Sequence, residues 1–532
     1  CDTFLAVDQV LVKWLMGRLL AEDTGAKLNE LTIPEVCEKR AKMHFGRKTD
    51  KTYQLLQSAY CMVQAANYRS AEGFKAIVDR YLSADHQIDQ QYRKFYFYYD
   101  KLENTETFEP LRELVENIYT NEYLATLLPA WNEGLRQEEA LAVLPLQRDF
   151  YNANLRYTKE RTVVIISDAM RYEVGQELFA RMQDDPKCSA QLNVQLGVLP
   201  SYTRLGMAAL LPHRTLEMTD DFQVLVDGIL CDTLAGRQQV LQSYVPDSVC
   251  IQFDEIKSMK VADLRDVLTK RQVIYVYHNQ IDARGDEART ENEVFSACEE
   301  AVEELYKEIR RLTDNANIRH FIVTADHGFL YKHDPIMESD KVINLPQAEI
   351  KNKRFMISDD TQPVAGAVGY RLGDVLDTAD NRTVYTPLGS SIFKCAGGGQ
   401  NYVHGGASVQ EMLVPVLDVR TQAGHVETQK AGVSLLPTPP TLMSGKVVLK
   451  FLQADLVTDT TLPASYEVRI INEMDNQVST KRTIRADKTV GCADEERRTE
   501  VTLTLKKLPY SRENDYYFLL TDKDTGAVVE KR

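Results

Sequence analysis

The spacing of apolar and polar positions changes character twice along the 532 residues. Up to about residue 150, apolar side chains recur at helical intervals, as in Leu11, Trp14, Leu15 and Leu19, then Leu55, Tyr60, Val63 and Ala66, then Leu111, Leu114, Ile118 and Tyr123. Near residue 160 the pattern becomes short, fully apolar, β-branched runs at 162–166, 194–199, 273–277 and 321–324. Helical stretches at 171–182 and, rich in acidic residues, at 291–312 separate some of them. Unbroken apolar runs suit strands covered on both faces, and their alternation with helices predicts an α/β domain with a mainly parallel sheet. Residues 331 to about 395, rich in Asp, Gly, Pro and Thr, lose the pattern and read as an insertion over the sheet edge, placed to cap a site. The core pattern resumes at His404 and ends with the run 412–417.

After Pro437, Pro439 and Pro440, alternating runs at 446–451, 466–471, 500–505 and 516–520 predict a small β-sandwich. The expected organisation is a helical domain over 1–155, an α/β domain over 156–425, a linker over 426–444 and a β-sandwich over 445–532. No stretch approaches the length of a membrane span. The first residue is Cys1, already within a helical pattern, so the reading here is of a chain whose beginning has been cut away.

Composition changes the picture little. With 44% hydrophobic and 27% charged residues the chain is an ordinary globular one. Nine scattered cysteines without a CxxC pair argue for a reducing cytoplasm and against thiolate metal sites. A net charge of −15 and no long Lys/Arg run argue against a dedicated nucleic-acid binder acting without a local patch or partner. They leave a phosphate-ester substrate open, because divalent cations invert the field of an acidic site. The aromatic run 92–99 is either a base-stacking platform or, as such runs commonly are, helix-bundle core.

Candidate chemistry gathers where the apolar runs end. Asp168, Asp282 and Asp326 each lie just past one, and ligands of parallel α/β sheets bind outside the carboxyl ends of strands. Asp326-His327-Gly328 joins two metal-ligating side chains to a flexible glycine, and His404 before Gly405-Gly406 has the same quality. Asp282 and Asp286, four apart, point one way if their segment is helical. Thr203 lies in a loop leading into a helix start, where N–H groups can hold phosphate oxygens. Ser201 is the rival hydroxyl. Arg204 either clamps a phosphate or is simply solvated, and Arg171 and Arg284 are either parts of a phosphate-contacting rim or, as arginines more commonly are, exposed and solvated.

The order strand-Asp, hydroxyl motif, Asp-x-x-x-ligand, Asp-His-Gly and late His resembles the metal sites of the alkaline phosphatase superfamily. The forms Ser-Asp-Ala-Met-Arg-Tyr-Glu at 167–173, Ser-Tyr-Thr-Arg-Leu-Gly-Met-Ala-Ala-Leu-Leu-Pro at 201–212 and His-Gly-Gly-Ala-Ser-Val-Gln-Glu-Met at 404–412 resemble the PglZ family of BREX-type phage-defence systems. The resemblance implies an alkaline phosphatase-like core with two divalent ions. Asp168, Thr203, Asp326 and His327 would hold one, with Thr203 as nucleophile; Asp282, Asp286 and His404 would hold the other. Phosphatase relatives usually have histidine where this chain has Asp286. The harder ligand leaves zinc first in expectation but admits manganese or magnesium. The implied activity is a phosphodiesterase or nuclease acting on nucleic acid in the cytoplasm, alongside other BREX components including a methyltransferase. The alternatives are a non-catalytic scaffold of that complex, or a phosphomonoesterase or phosphomutase.

Overall fold

The computed structural model describes residues 5–532 except 44–45, 47–48, 138, 344–349, 396–398, 423–428, 437–440, 444, 459–460, 490–491, 493–494 and 512. The chain divides into two compact units, Cys1–Ala423 and Gly424–Arg532.

The larger unit is built on a six-stranded sheet. Its strands are β1 (Thr162–Ser167), β2 (Cys188–Leu196), β3 (Ser248–Gln252), β4 (Val273–His278), β5 (His320–Thr324) and β6 (Leu413–Thr421), in the spatial order β2-β6-β5-β1-β4-β3. β5, β1, β4 and β3 pair in parallel, while β6 runs antiparallel to both β5 and β2. Every residue of β1, β4 and β5 is buried, as their unbroken apolar runs require. The edge strand β2 instead alternates exposure along most of its length. It was expected over 194–199; it ends at Leu196, because the N–H of Gly197 turns to the carbonyl of Met412 (2.7 Å). β3 carried no clear sequence signal.

The helical stretches fall close to expectation. Tyr172–Gln183 packs beside β2 and β6, and the long amphipathic helix Val294–Ala316 stops at Asn317, in the left-handed conformation typical of a helix end. The N-terminal helices share one hydrophobic core with this α/β layer, including Trp131, Leu127 and Tyr96 from the former and Ile165, Val323 and Val414 from the latter. The aromatic run lies in the helix His86–Tyr99, which buries Tyr92, Phe95, Tyr96 and Tyr99. Tyr92 and Tyr96 donate to the carboxylate of Glu116 at 2.8 and 2.6 Å. These rings are core and not a stacking platform. The insertion carries a small antiparallel sheet whose strands include Met356–Ser358, Ala367–Arg371 and Thr383–Pro387.

The smaller unit is a β-sandwich. One sheet groups Val433–Leu435, Thr441–Met443, Lys446–Gln453 and Arg498–Thr504; the other groups Arg482–Ala486, Ala464–Asn472, Tyr516–Asp522 and Val528–Lys531. Both fill a common core with Phe451, Leu503, Val468 and Leu520. Two of these strands lie inside the stretch expected as a linker. Pro437, Pro439 and Pro440 fall outside the described residues. Among the described residues, no helix is long and apolar enough to cross a membrane.

One junction is expected to make the larger unit sensitive to acid. The ring of His333 stacks on Tyr96 at 4.0 Å, and its backbone N–H donates to the Tyr92 hydroxyl oxygen at 3.0 Å. Burial, assisted by nearby Arg112, pushes its pKa from 6.5 down to about 4. The unfolded chain therefore binds this proton more readily than the folded one. The resulting penalty is absent above about pH 6.5 and grows as pH falls toward 4. In urea denaturation at pH 7 and pH 5, His333→Phe is expected to lose less stability on acidification than the parent. An equal loss in both would remove His333 from the account.

Candidate metal centre

The sheet brings the sequence-separated motifs to one rim. Asp168 follows β1, and its N–H bonds the carbonyl of His278 at the end of β4 (2.8 Å). Ala169, next in the chain, adopts a positive φ of 64° and turns its N–H to Asp326 Oδ1 (3.1 Å). The N–H of His327 bonds the same oxygen at 3.0 Å. Asp326 thus has one oxygen held by two backbone donors and leaves Oδ2 buried without a partner; Asp168 Oδ1 is buried and unpartnered too. Asp282 lies in the short helix Ile281–Gly285 after β4, and Tyr402 donates to its Oδ1 at 2.9 Å.

Among the described residues, two sets of donors converge. Asp168, Asp326 and His327 form one, and Asp282, His327 and His404 the other, with the ligand atoms of each set within 4.8 Å of one another. His327 belongs to both. Its Nδ1 lies 2.8 Å from the Gly328 carbonyl, the contact of an N–H donor, which leaves the Nε2 lone pair facing Asp326 Oδ2 at 3.4 Å and Asp168 Oδ1 at 3.6 Å. The His327 and His404 rings stack at 4.3 Å.

The electrostatics are those of a cation site. Burial and the neighbouring charges of Asp326 and Asp282 push the Asp168 pKa well up, and burial raises that of Asp326. His404 is pushed down to about 4, first by burial and then by His327, against the opposing pull of Asp282 and Asp286. A neutral imidazole is the ligating form. Orphaned buried carboxylate oxygens beside an unprotonated His404 fit a divalent ion well.

The hydroxyls separate cleanly. Thr203 is the first residue of the helix Thr203–Ala209, and its Oγ1 lies 3.1 Å from His327 Nε2. Ser201 is buried and donates to the Gly406 carbonyl at 2.6 Å, and its N–H bonds the Gly405 carbonyl at 3.3 Å. Ser201 therefore ties the hydroxyl loop to the His404 loop and is turned away from the donors. Gly206 lies so close to Asp326 that a Cβ would stand 2.3 Å from its carbonyl oxygen. The helix carrying Thr203 thus rests directly on the backbone of the Asp326 turn.

Other expectations fare differently. Asp286 caps the end of its helix, is exposed and joins neither set, although its charge is felt at His404. The four-residue spacing was right; the helix stops there, with the Asp286 N–H bonded back to Asp282. Arg204 projects outward and pairs with Asp232 at 3.4 Å. Arg171 is no part of a phosphate rim: it is fully buried and paired with Asp89 at 2.9 Å, since a buried guanidinium requires a carboxylate. Arg284 is occupied by Glu293 and Glu300 on the following helical stretch.

Sequence reasoning missed several supporting residues. Tyr402 gave only the weak signal of lying two residues before His404. Gln147 donates to the carbonyls of Ala325 and Asp326 at 3.1 and 2.7 Å and accepts the N–H of Val198 at 3.0 Å. Arg354, from the insertion, forms a fully buried bidentate pair with Glu411, which also accepts the N–H groups of Gly406 and Ser408. Gly405 needs its positive φ of 109° there, and a Cβ would strike Phe355. Arg237, with its guanidinium 4.7 Å over the Tyr277 ring, is a cation whose charge reaches Asp168.

Residues 150–419 match the family described as the BREX system PglZ alkaline phosphatase-like domain, which sets the class of the α/β unit. The chain is 32% identical over 541 residues to the alkaline phosphatase-like protein PglZ of Bacillus cereus (strain H3081.97), across 99% of this chain and 63% of that protein. It is 30% identical over 561 residues to the alkaline phosphatase-like protein BrxZ of Escherichia coli O9:H4 (strain HS), across 100% of this chain and 64% of that protein. The chain belongs to the PglZ family, and it spans a little under two thirds of the length of these relatives. Among solved structures, murine ectonucleotide pyrophosphatase/phosphodiesterase 5 aligns with 50% of this chain and 89% of its own, at 10% identity and a TM-score of 0.34.

The Tyr402–Asp282 hydrogen bond gives a test of the second donor set. Tyr402→Phe is expected to weaken retention of divalent metal by about tenfold or more, the usual cost of losing an outer hydrogen bond to a ligand. Elemental analysis after graded dialysis reads this directly, and unchanged retention would detach Asp282 from metal binding.

Proposed function

We propose that this chain carries the catalytic centre of a metal-dependent phosphodiesterase, a nuclease of a BREX defence system, with Thr203 as nucleophile. The observation that carries the reading is the meeting of two carboxylate–imidazole sets at His327, with the Thr203 hydroxyl 3.1 Å from the shared Nε2. Asp168, Asp326 and His327 would hold one ion beside Thr203, and Asp282 and His404 the other, with Asp286 able to join from the rim. Divalent ions bound there would lower the pKa of the hydroxyl and stabilise charge on the phosphoryl oxygens. Mixed oxygen and imidazole donors suit zinc first, and manganese or magnesium as alternatives.

Thr203 Oγ1 would lose its proton to solvent and form the Oγ–P bond as the opposite P–O bond breaks and the leaving oxygen takes up a proton. Water attack on phosphorus would then release Thr203 with its proton restored. Asp326 is fixed by its two backbone donors, one of them the N–H of His327, whose ring lies against the nucleophile, so this ligand keeps its orientation. Arg204, one residue beyond Thr203, and Arg237 are the cations best placed to offset phosphate charge. The helical and β-sandwich surfaces offer room for other BREX components, a methyltransferase among them, in the cytoplasm.

Bound metal and the cleavage of bis-p-nitrophenyl phosphate and plasmid DNA test the reading together. Thr203→Ala and Asp282→Ala are expected to lose at least about a hundredfold in turnover, in line with the loss of a nucleophile or metal ligand. Ser201→Ala should keep most of it. Full cleavage by both of the first two variants would falsify the site; preference for a monoester over the diester would overturn the nuclease, and metal binding without turnover would favour a scaffold.

A further inference from the structure

We infer that Asp89, in the N-terminal helical region, is a positioning residue for the metal centre, acting through Arg171 and Gln410 on the turns that carry its ligands. The inference rests on the reading of that centre given above.

Asp89 is completely buried and gathers hydrogen-bond donors from three places in the chain and an ion pair from a fourth. Tyr81 and Tyr119 each donate to it at 2.7 Å, and Tyr123 at 3.3 Å. These three tyrosines come from two π-helical turns, Tyr81–Asp85 and Ile118–Leu124, which interrupt otherwise α-helical segments. Such wide turns cost regular hydrogen bonding and recur where a side chain must be aimed. Gln410 Nε2 donates to both carboxylate oxygens at 3.1 and 3.2 Å, and Arg171 Nη2 lies 2.9 Å from Oδ1.

The two partners are not generic core residues. Arg171 stands three residues after Asp168, on the turn whose amide at Ala169 fixes Asp326. Its guanidinium lies 5.1 Å over the ring of Phe329, two residues after His327. Gln410 belongs to the segment that follows His404. Gly328 fits between them, since a Cβ there would meet the Gln410 carbonyl oxygen at 2.0 Å and Arg171 Cγ at 3.4 Å. All three turns that supply Asp168, Asp326–His327 and His404 therefore lean on one carboxylate from the helical region. The same region reaches the His404 loop again, as Trp131 Nε1 and Asn132 Nδ2 donate to the Ala407 carbonyl at 2.7 and 3.1 Å.

The buried pair Asp8–Arg40 supplies the control. It lies in the same helical region, with Arg40 Nη2 2.7 Å from Asp8 Oδ2, and Asp8 also accepts from Tyr53. Manganese and zinc affinities of the full chain are measured by calorimetry well below each variant's Tm. Asp89→Asn, and the milder double variant Tyr81→Phe/Tyr119→Phe, are expected to bind metal about ten- to a hundredfold more weakly, as when an outer support of a ligand is lost. Asp8→Asn should lower Tm and leave affinity within about twofold of wild type, because it disturbs no ligand turn. Wild-type affinity in the folded double variant, or an equal loss of affinity in Asp8→Asn, overturns the positioning role. Wild-type protein that takes up no ion overturns the reading of the centre itself, which is a different result from that of the variants.

Discussion

Two buried carboxylates with a third, partly exposed, beside them define the problem this fold solves. Asp168, Asp282 and Asp326 repel one another, and among the described residues no lysine or arginine lies within salt-bridge distance of the buried pair. In the absence of a cation such a cluster would scatter or take up protons. The surrounding chain holds it by main-chain geometry: the left-handed turn at Ala169, the paired amides on Asp326 and the Gln147 amide on the strand end behind it. The ring of His404, its pKa pushed down to about 4, joins the carboxylates without adding positive charge of its own near neutral pH.

The parallel sheet explains why these residues meet. β1, β4 and β5 run the same way side by side, so the residues following them emerge on one rim. Asp168, Asp282 and Asp326 were legible in the sequence for that reason, each announced by an apolar run with buried character on both faces. His327 and His404 followed from their glycine-flanked motifs. The choice between Ser201 and Thr203 was not legible, because both hydroxyls occupy one loop and only the approach of the Gly406 carbonyl separates them. Asp286 keeps the helical bond to Asp282 but is exposed and stands outside both close donor sets, reaching His404 through its charge.

What stayed hidden depends on contacts across long stretches of chain. Nothing near residue 89 announces that its carboxylate meets Arg171 and Gln410, because the surrounding pattern is that of an ordinary amphipathic helix rich in tyrosine. The Arg354–Glu411 pair was equally silent, joining the insertion to the His404 loop. Both cases place a buried charge whose partner lies 57 or more residues away along the chain. The helical region and the α/β layer, which read as successive domains, consequently share a single core.

The close seating of Gly206 on the Asp326 carbonyl has a wider meaning. Side-chain packing can drift as rotamers change, but two backbones in contact have no such slack. The separation between hydroxyl and ligand turn is set by a hard stop of main chain against main chain. The position of the Thr203 hydroxyl is thereby insulated from rotamer changes in the core around it.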